Sequence, residues 1–381
     1  MELLKHELYK IFTRKSIYFA IAILLVLYSI PLVQFEIIEQ RENAKEEAQI
    51  YKEWEGPVTK EKLEFAKQAT AEENLVEDKS GGFRRADQSL YRVGTEFISS
   101  NVRLMNWNER MANLQAEITQ LETENSGGYE YKEKVMAYEA FQKVGPPEIY
   151  YNKGWANVVD FVKTYGLIFM GALILLGVSP VFSDEYSNGT DNFILTSKKG
   201  KSSLITAKIQ ASVIYILILV IFFALINLFV TGYRFGLAGW DTPIRNLYQY
   251  SLTPYALDLW QYYTIQLGIH AAAAMAFGLL VLLISALSRS ALIPFFTGGV
   301  FFSVPILLTS IFSVEIPWVL KMVEFSYTGL MKVTGFFTEF KVFNIAGFPV
   351  LYLNFALVLF TIVSFITLYL IYYSFRNHQI S

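Results

Sequence analysis

No cysteine occurs in the 381 residues. Disulfides, thiolate metal sites and thiol nucleophiles are therefore excluded. Histidine is nearly missing too. His6, His270 and His378 lie far apart, so no closely spaced pair can seat a metal. Acidic residues are scarce outside one stretch, because most of the 34 fall between Glu39 and Asn157. The net charge of −2 says nothing about acidic substrates, and no nucleic-acid partner is expected. Gly200-Lys201-Ser202 looks like the end of a phosphate loop, but the glycine needed five positions earlier is Leu195. The chain is expected to bind no cofactor and to hydrolyse no ATP by itself. It reads as a non-enzyme.

What remains is apolar and aromatic. Runs of about 20 apolar residues are long enough to cross a bilayer, and six are expected: 17–38, 158–182, 204–231, 261–287, 291–313 and 349–375. Pro294 and Pro305 are expected to kink the fifth. The first run lacks a small-x-small cleavage signature and reads as a retained signal anchor. Lys5, Lys10, Arg14 and Lys15 precede span one. Lys198, Lys199 and Lys201 separate spans two and three, Arg289 separates four and five, and Arg376 follows six. With six crossings all four flanks share one side, which the positive-inside rule makes cytoplasmic, together with both termini. The fold class is thus an all-α polytopic membrane protein of six transmembrane helices. Its expected divisions are 1–16 as an interfacial helix, 17–38 as span one, 39–157 as an extracellular helical domain and 158–381 as spans two to six.

The 39–157 insert reads as helix throughout. Leu104, Trp107, Met111, Leu114, Ile118 and Leu121 recur at spacings of three and four. A helix over 84–125 would be about 60 Å long at ~1.5 Å per residue, an elongated projection. Shorter helices are expected around 59–78 and 131–143. The 314–348 stretch reads as a pair of short re-entrant helices. In the spans, Gln266, His270 and Asn227 are the polar residues, expected to make intramembrane contacts. Gly268, Ala272 and Ala276 form a small-residue stripe suited to close helix packing, within the chain or against a second subunit. At the start, Leu3, Leu4, Leu8, Ile11 and Phe12 share one face of an amphipathic segment that would lie in the interface and turn sharply into span one.

That elbow, together with the loop at 183–208, resembles the type-two permease family of ABC exporters. The residues carrying the resemblance are Asp184-Glu185, Gly189-Thr190, Phe193-Ile194-Leu195, Thr196-Ser197, Lys201 and Lys208. Many relatives have proline after Thr-Ser and arginine at the position of Lys201. The large insert after span one is similar to the subgroup of bacterial peptide, drug and sodium extrusion permeases. The resemblance implies a short coupling helix near 183–203. There Asp184, Glu185, Gly189, Thr190, Phe193, Ile194, Leu195 and Lys201 would dock a separate ABC ATPase, which carries the ATP and Mg. It also implies a second permease subunit, the same or a sister chain, in a bacterial plasma membrane. The cargo would be hydrophobic or amphipathic, such as an antimicrobial peptide, drug or lipid, with spans two and five lining its path. Lipids are expected partners, and an envelope protein or cargo could meet the extracellular domain. The alternatives are a sodium-extrusion permease and a membrane-anchored envelope sensor or scaffold.

Overall fold

A computed structural model describes residues 2–34, 37–71, 75–77, 83–85, 87–125, 127–188, 200–312 and 314–376. The chain is mostly helical. Among the described residues, five helices are long and apolar enough to cross a membrane: Lys153–Ser187, Ser202–Phe235, Leu259–Leu287, Leu292–Ile311 and Tyr352–Phe375. A sixth apolar segment is the second half of a pair, Glu2–Phe12 and Lys15–Ile30, bent by 53°.

The first helices are α1 (Glu2–Phe12) and α2 (Lys15–Gln34). Leu4, Leu8 and Phe12 of α1 pack against the core and Ile11 is buried, whereas Leu3 is exposed. The insert follows as α3 (Ile37–Trp54), α4 (Lys60–Thr70), α5 (Gln88–Asn125) and α6 (Tyr129–Val144). At 38 residues, α5 is about 57 Å long at ~1.5 Å per residue. Its far half pairs with α6, where Leu114 and Met111 pack with Ala137 and Phe141 and Ile118 is buried, so the seam read from the sequence is used within the chain. Its near half packs on α4, and Gly94 permits the approach: a Cβ there would lie 3.0 Å from Ala69 Cβ and 3.1 Å from the Ala66 carbonyl oxygen.

The insert is not helix throughout. Two antiparallel ladders interrupt it, β1 (Gly56–Pro57) with β4 (Glu148–Ile149) and β2 (Leu75–Glu77) with β3 (Phe83–Arg85). The first ties its two ends together. It stands beside a small core of Tyr51, Ala66, Val93, Phe97, Ile149 and Tyr151. The insert therefore has a packed base as well as a projecting hairpin.

The helix Lys153–Ser187 comprises α7 (Lys153–Phe161), a π-helical stretch (Val162–Gly166), α8 (Leu167–Val178) and α9 (Pro180–Ser187). It is the axis of the bundle: 78% of its apolar window is buried, against 17% for each of the last two spans. Around it stand α10 (Gly200–Phe235), α11 (Leu259–Leu287), α12 (Leu292–Ile306) and α15 (Tyr352–Arg376). Pro294 falls in the first turn of α12, where its missing N–H costs little. Pro305 falls near the end of α12, which passes into a π-helical turn, Leu307–Ile311.

Between α12 and α15 lie α13 (Pro317–Glu324) and α14 (Tyr327–Lys332), the expected short pair. A β-hairpin not expected from the sequence then follows, β5 (Val342–Ile345) with β6 (Phe348–Leu351). Ala346 and Gly347 turn it with φ of 52° and 82°, the left-handed values a tight hairpin of this kind requires. These short strands are small additions to a chain that is otherwise mostly helical, in keeping with the all-α membrane reading.

The connecting segments gather at two ends of the bundle. At one end the insert meets the 236–258 and 314–351 segments, through Arg103 on the Asn246 carbonyl and Phe141 on Phe340. At the other end α1, α9, the start of α10 and the ends of α11 and α15 come together. There Lys208 reaches Glu7, Ser285 meets α9 and Phe182 packs on Phe375.

Candidate functional site

Phe182, Ser183 and Glu185 form the buried side of α9, next to the polar segment that the sequence singles out. α9 begins at Pro180, which has no N–H to give to the preceding turn. Two side chains from elsewhere serve the interrupted ladder. Ser285 Oγ of α11 accepts from the Phe182 and Ser183 N–H groups, both at 3.1 Å, and donates to the Ser179 carbonyl at 2.6 Å. Arg14 Nη1 donates to the Gly177 carbonyl at 3.1 Å. A break at proline with inserted polar side chains is a recognised cause of helix bending.

Below the break lies a network of ions. Lys208, fully buried, holds Glu185 Oε1 at 2.7 Å, Glu7 Oε2 at 3.0 Å and the Val181 carbonyl at 2.8 Å. Lys10 bridges the same two carboxylates from the rim, at 2.9 Å to Glu7 and 3.0 Å to Glu185. Arg14 Nη2 pairs with Asp184 Oδ2 at 3.1 Å. Three cations thus face three carboxylates. The Phe182 ring lies 5.4 Å from the Lys208 ammonium. A cleft of about 560 Å³ opens beside the network between α1 and α9, lined by His6, Lys10, Arg14, Pro180, Asp184 and Asn188.

The elbow, the end of α9 and the start of α10 are therefore clamped together, and the segment 189–199 joins the last two. Of the residues expected to dock a partner, Asp184 is half-exposed beside the cleft. Glu185 points inward and is spent on Lys10 and Lys208. Gly189, Thr190, Phe193, Ile194 and Leu195 lie outside the described residues, and Lys201 falls in the first turn of α10. Glu7 escaped the sequence reading. Its signal was a carboxylate at helical spacing with Leu4, Leu8 and Ile11, inside the apolar stripe of α1.

The polar residues within the spans join helices. His270 Nδ1 lies 2.7 Å from the Met331 carbonyl oxygen of α14. Asn227 and Gln266 donate to the Val158 and Val159 carbonyls at 2.9 and 3.1 Å, in the turn before the π-helical stretch. A widened turn displaces the backbone's own donors, so side chains meet those carbonyls. The small-residue stripe is split: Gly268 and Ala272 are exposed, while Ala276 is buried. Ala272 and Ala276 line a cavity of about 210 Å³ against α15.

A larger apolar cavity, about 790 Å³, lies between α12, α13 and α15. Val300, Val304, Trp318, Met322, Phe360 and Val363 are among its walls. Of the two spans expected to line a path, only the fifth borders it.

Compared with known proteins, the chain matches no family model, no curated protein and no solved structure.

Proposed function

We propose that this chain is the membrane subunit of an ATP-driven ABC exporter in a bacterial plasma membrane. Both termini and the ion network would be cytoplasmic, and the insert would be outside. A separate ATPase would dock at the 183–203 segment, and a second permease subunit would complete the transporter. One observation carries this reading. The helices on both sides of the segment expected to receive the ATPase are ion-paired to the same elbow helix, Glu185 of the first to Lys10 and Lys208 of the second to Glu7. A push on that segment therefore reaches α1, the axial helix and α10 together. The break at Pro180 supplies a joint where the axial helix can bend. The apolar cavity beside α12 fits a hydrophobic or amphipathic cargo better than a bare cation.

Affinity purification of the tagged chain from native membranes, followed by mass spectrometry, tests the proposal. Recovery of an ABC ATPase together with a second permease is expected. Phe193→Ala should lower the ATPase yield while leaving the chain folded. An intact chain that brings down no ATPase, or a Phe193→Ala variant with unchanged assembly and transport, would refute the reading.

A further inference from the structure

We propose that Arg103, Trp107, Arg245 and Asn246 form a binding site for an oxyanion of the phosphate class, where α5 meets the 236–258 segment. The site is independent of the export reading. Arg103 and Trp107 are one turn apart on α5. Arg245 and Asn246 are neighbours in the 3-10 turn Ile244–Asn246. The two stretches touch: Arg103 Nη1 donates to the Asn246 carbonyl at 3.0 Å, and the Arg245 guanidinium carbon lies 5.7 Å from the centre of the Trp107 ring.

All five orphaned atoms in this knot are donors. Arg245, Asn246 and Arg103 are 2%, 5% and 8% exposed. Among the described residues, Arg245 Nε and Nη1, Arg103 Nε, Asn246 Nδ2 and Trp107 Nε1 are buried with no acceptor. Buried donors normally have one, and leaving them unmet is costly. Three acceptors of this region are already engaged. Asn246 Oδ1 takes the Glu148 backbone N–H at 3.2 Å, while Ser100 Oγ and Glu96 Oε1 take Arg103 Nη2 at 2.6 and 2.5 Å.

The charge is also one-sided. Glu96, half-exposed, pairs with Arg103, but among the described residues no carboxylate pairs with Arg245. Glu148 acts on Arg245 from a distance, and its carboxylate accepts the Tyr150 hydroxyl at 2.7 Å. Burial pushes the Arg245 guanidinium down to about 10, Arg103 pushes it the same way, and Glu148 opposes them.

A water molecule could take some of the free N–H groups, but it would leave the guanidinium charge uncompensated. An oxyanion supplies both the acceptors and the charge. Guanidinium forks are suited to two-point recognition of such groups, and the indole and amide N–H add direction. A phospholipid headgroup and free phosphate share this chemistry.

The test uses the full-length protein in detergent. Its thermal midpoint is followed while inorganic phosphate replaces chloride at constant ionic strength. The wild-type midpoint should climb with the logarithm of phosphate concentration, as a ligand bound only by the folded state requires. Arg245→Met should abolish the climb. Trp107→Phe, which keeps the ring and loses the N–H, should weaken apparent affinity about tenfold, the worth of one hydrogen bond. If Arg245→Met fails to fold, Trp107→Phe carries the comparison. A flat wild-type response with no anionic lipid that the variants lose, or an unchanged response in Trp107→Phe or a folded Arg245→Met, overturns the site. Native mass spectrometry identifies the source. An anionic phospholipid retained by the wild type and lost from the variants assigns a headgroup. A phosphate response with no retained lipid assigns free phosphate.

Discussion

Lys208 and Lys10 touch the same two carboxylates at nearly the same distances, yet removing them should have very different effects. Lys208 is fully buried, whereas the Lys10 side chain is 40% exposed. Replacing Lys208 by Met leaves Glu7 and Glu185, at 4% and 10% side-chain exposure, with one rim ammonium between them. Removing one partner of a buried pair costs about 3–5 kcal/mol. The lower end is expected, about 3 kcal/mol, because Lys10 remains. Lys10→Met removes a solvated partner and should cost about 0–1 kcal/mol. A second change, Glu7→Gln, in the Lys208→Met background removes the excess negative charge and should recover part of the loss. Thermal unfolding of the purified chain in one detergent, with all variants side by side, reads this ordering. The reasoning fails if Lys208→Met unfolds with the wild type, or if Lys10→Met is the more damaging of the two. Transport should follow the same order in vesicles if the network carries force.

Ser285→Ala removes a hydroxyl that serves two N–H groups of α9 and the Ser179 carbonyl just before it, and should cost about 1–3 kcal/mol; unfolding scans would detect it. Gly94→Val should force α4 and α5 apart and cost about 1–3 kcal/mol, visible as faster proteolysis within the insert. In the 314–351 segment, burial pushes the Glu324 carboxyl up, Lys341 pulls it down and Glu339 adds to the rise. The net shift is upward, so the folded chain binds this proton more tightly than the unfolded chain. The associated stability is present at low pH and is lost as pH climbs through and above the usual carboxylate range. Glu324→Gln should flatten that part of the pH–stability profile; an unchanged slope would show that Glu324 does not contribute.

The apolar helices were legible in the sequence because a helix spanning hydrocarbon needs an uninterrupted run, and little else produces one. The α5 seam was legible through its spacing of three and four. Short-range patterns of that kind do not reveal β1 and β4, which are two residues each and pair across the whole insert. The hairpin at 342–351 is a similar case. Its strands are four residues long, and its turn carries Ala346 where glycine or asparagine would have signalled it. The ion network lay further beyond reach. Glu7 and Lys208 are 201 positions apart, and nothing local marks them as partners. Lys208 was noted as part of a loop motif, and its fully buried position at the hub follows only from the packing of α1 across α9 and α10. Glu185 likewise read as a residue that docks a partner, although the turn of α9 directs it inward.

The same separation sets an order on biosynthesis. Glu7 leaves the ribosome 201 residues before Lys208 does. At ~5–20 residues per second, about 10–40 s pass before the buried ammonium exists. Until then the elbow has only Lys10 to balance its carboxylate. The first hydrophobic segment therefore precedes its partners in a loose arrangement, and the charges at this end of the bundle lock only after the third apolar stretch has begun to emerge.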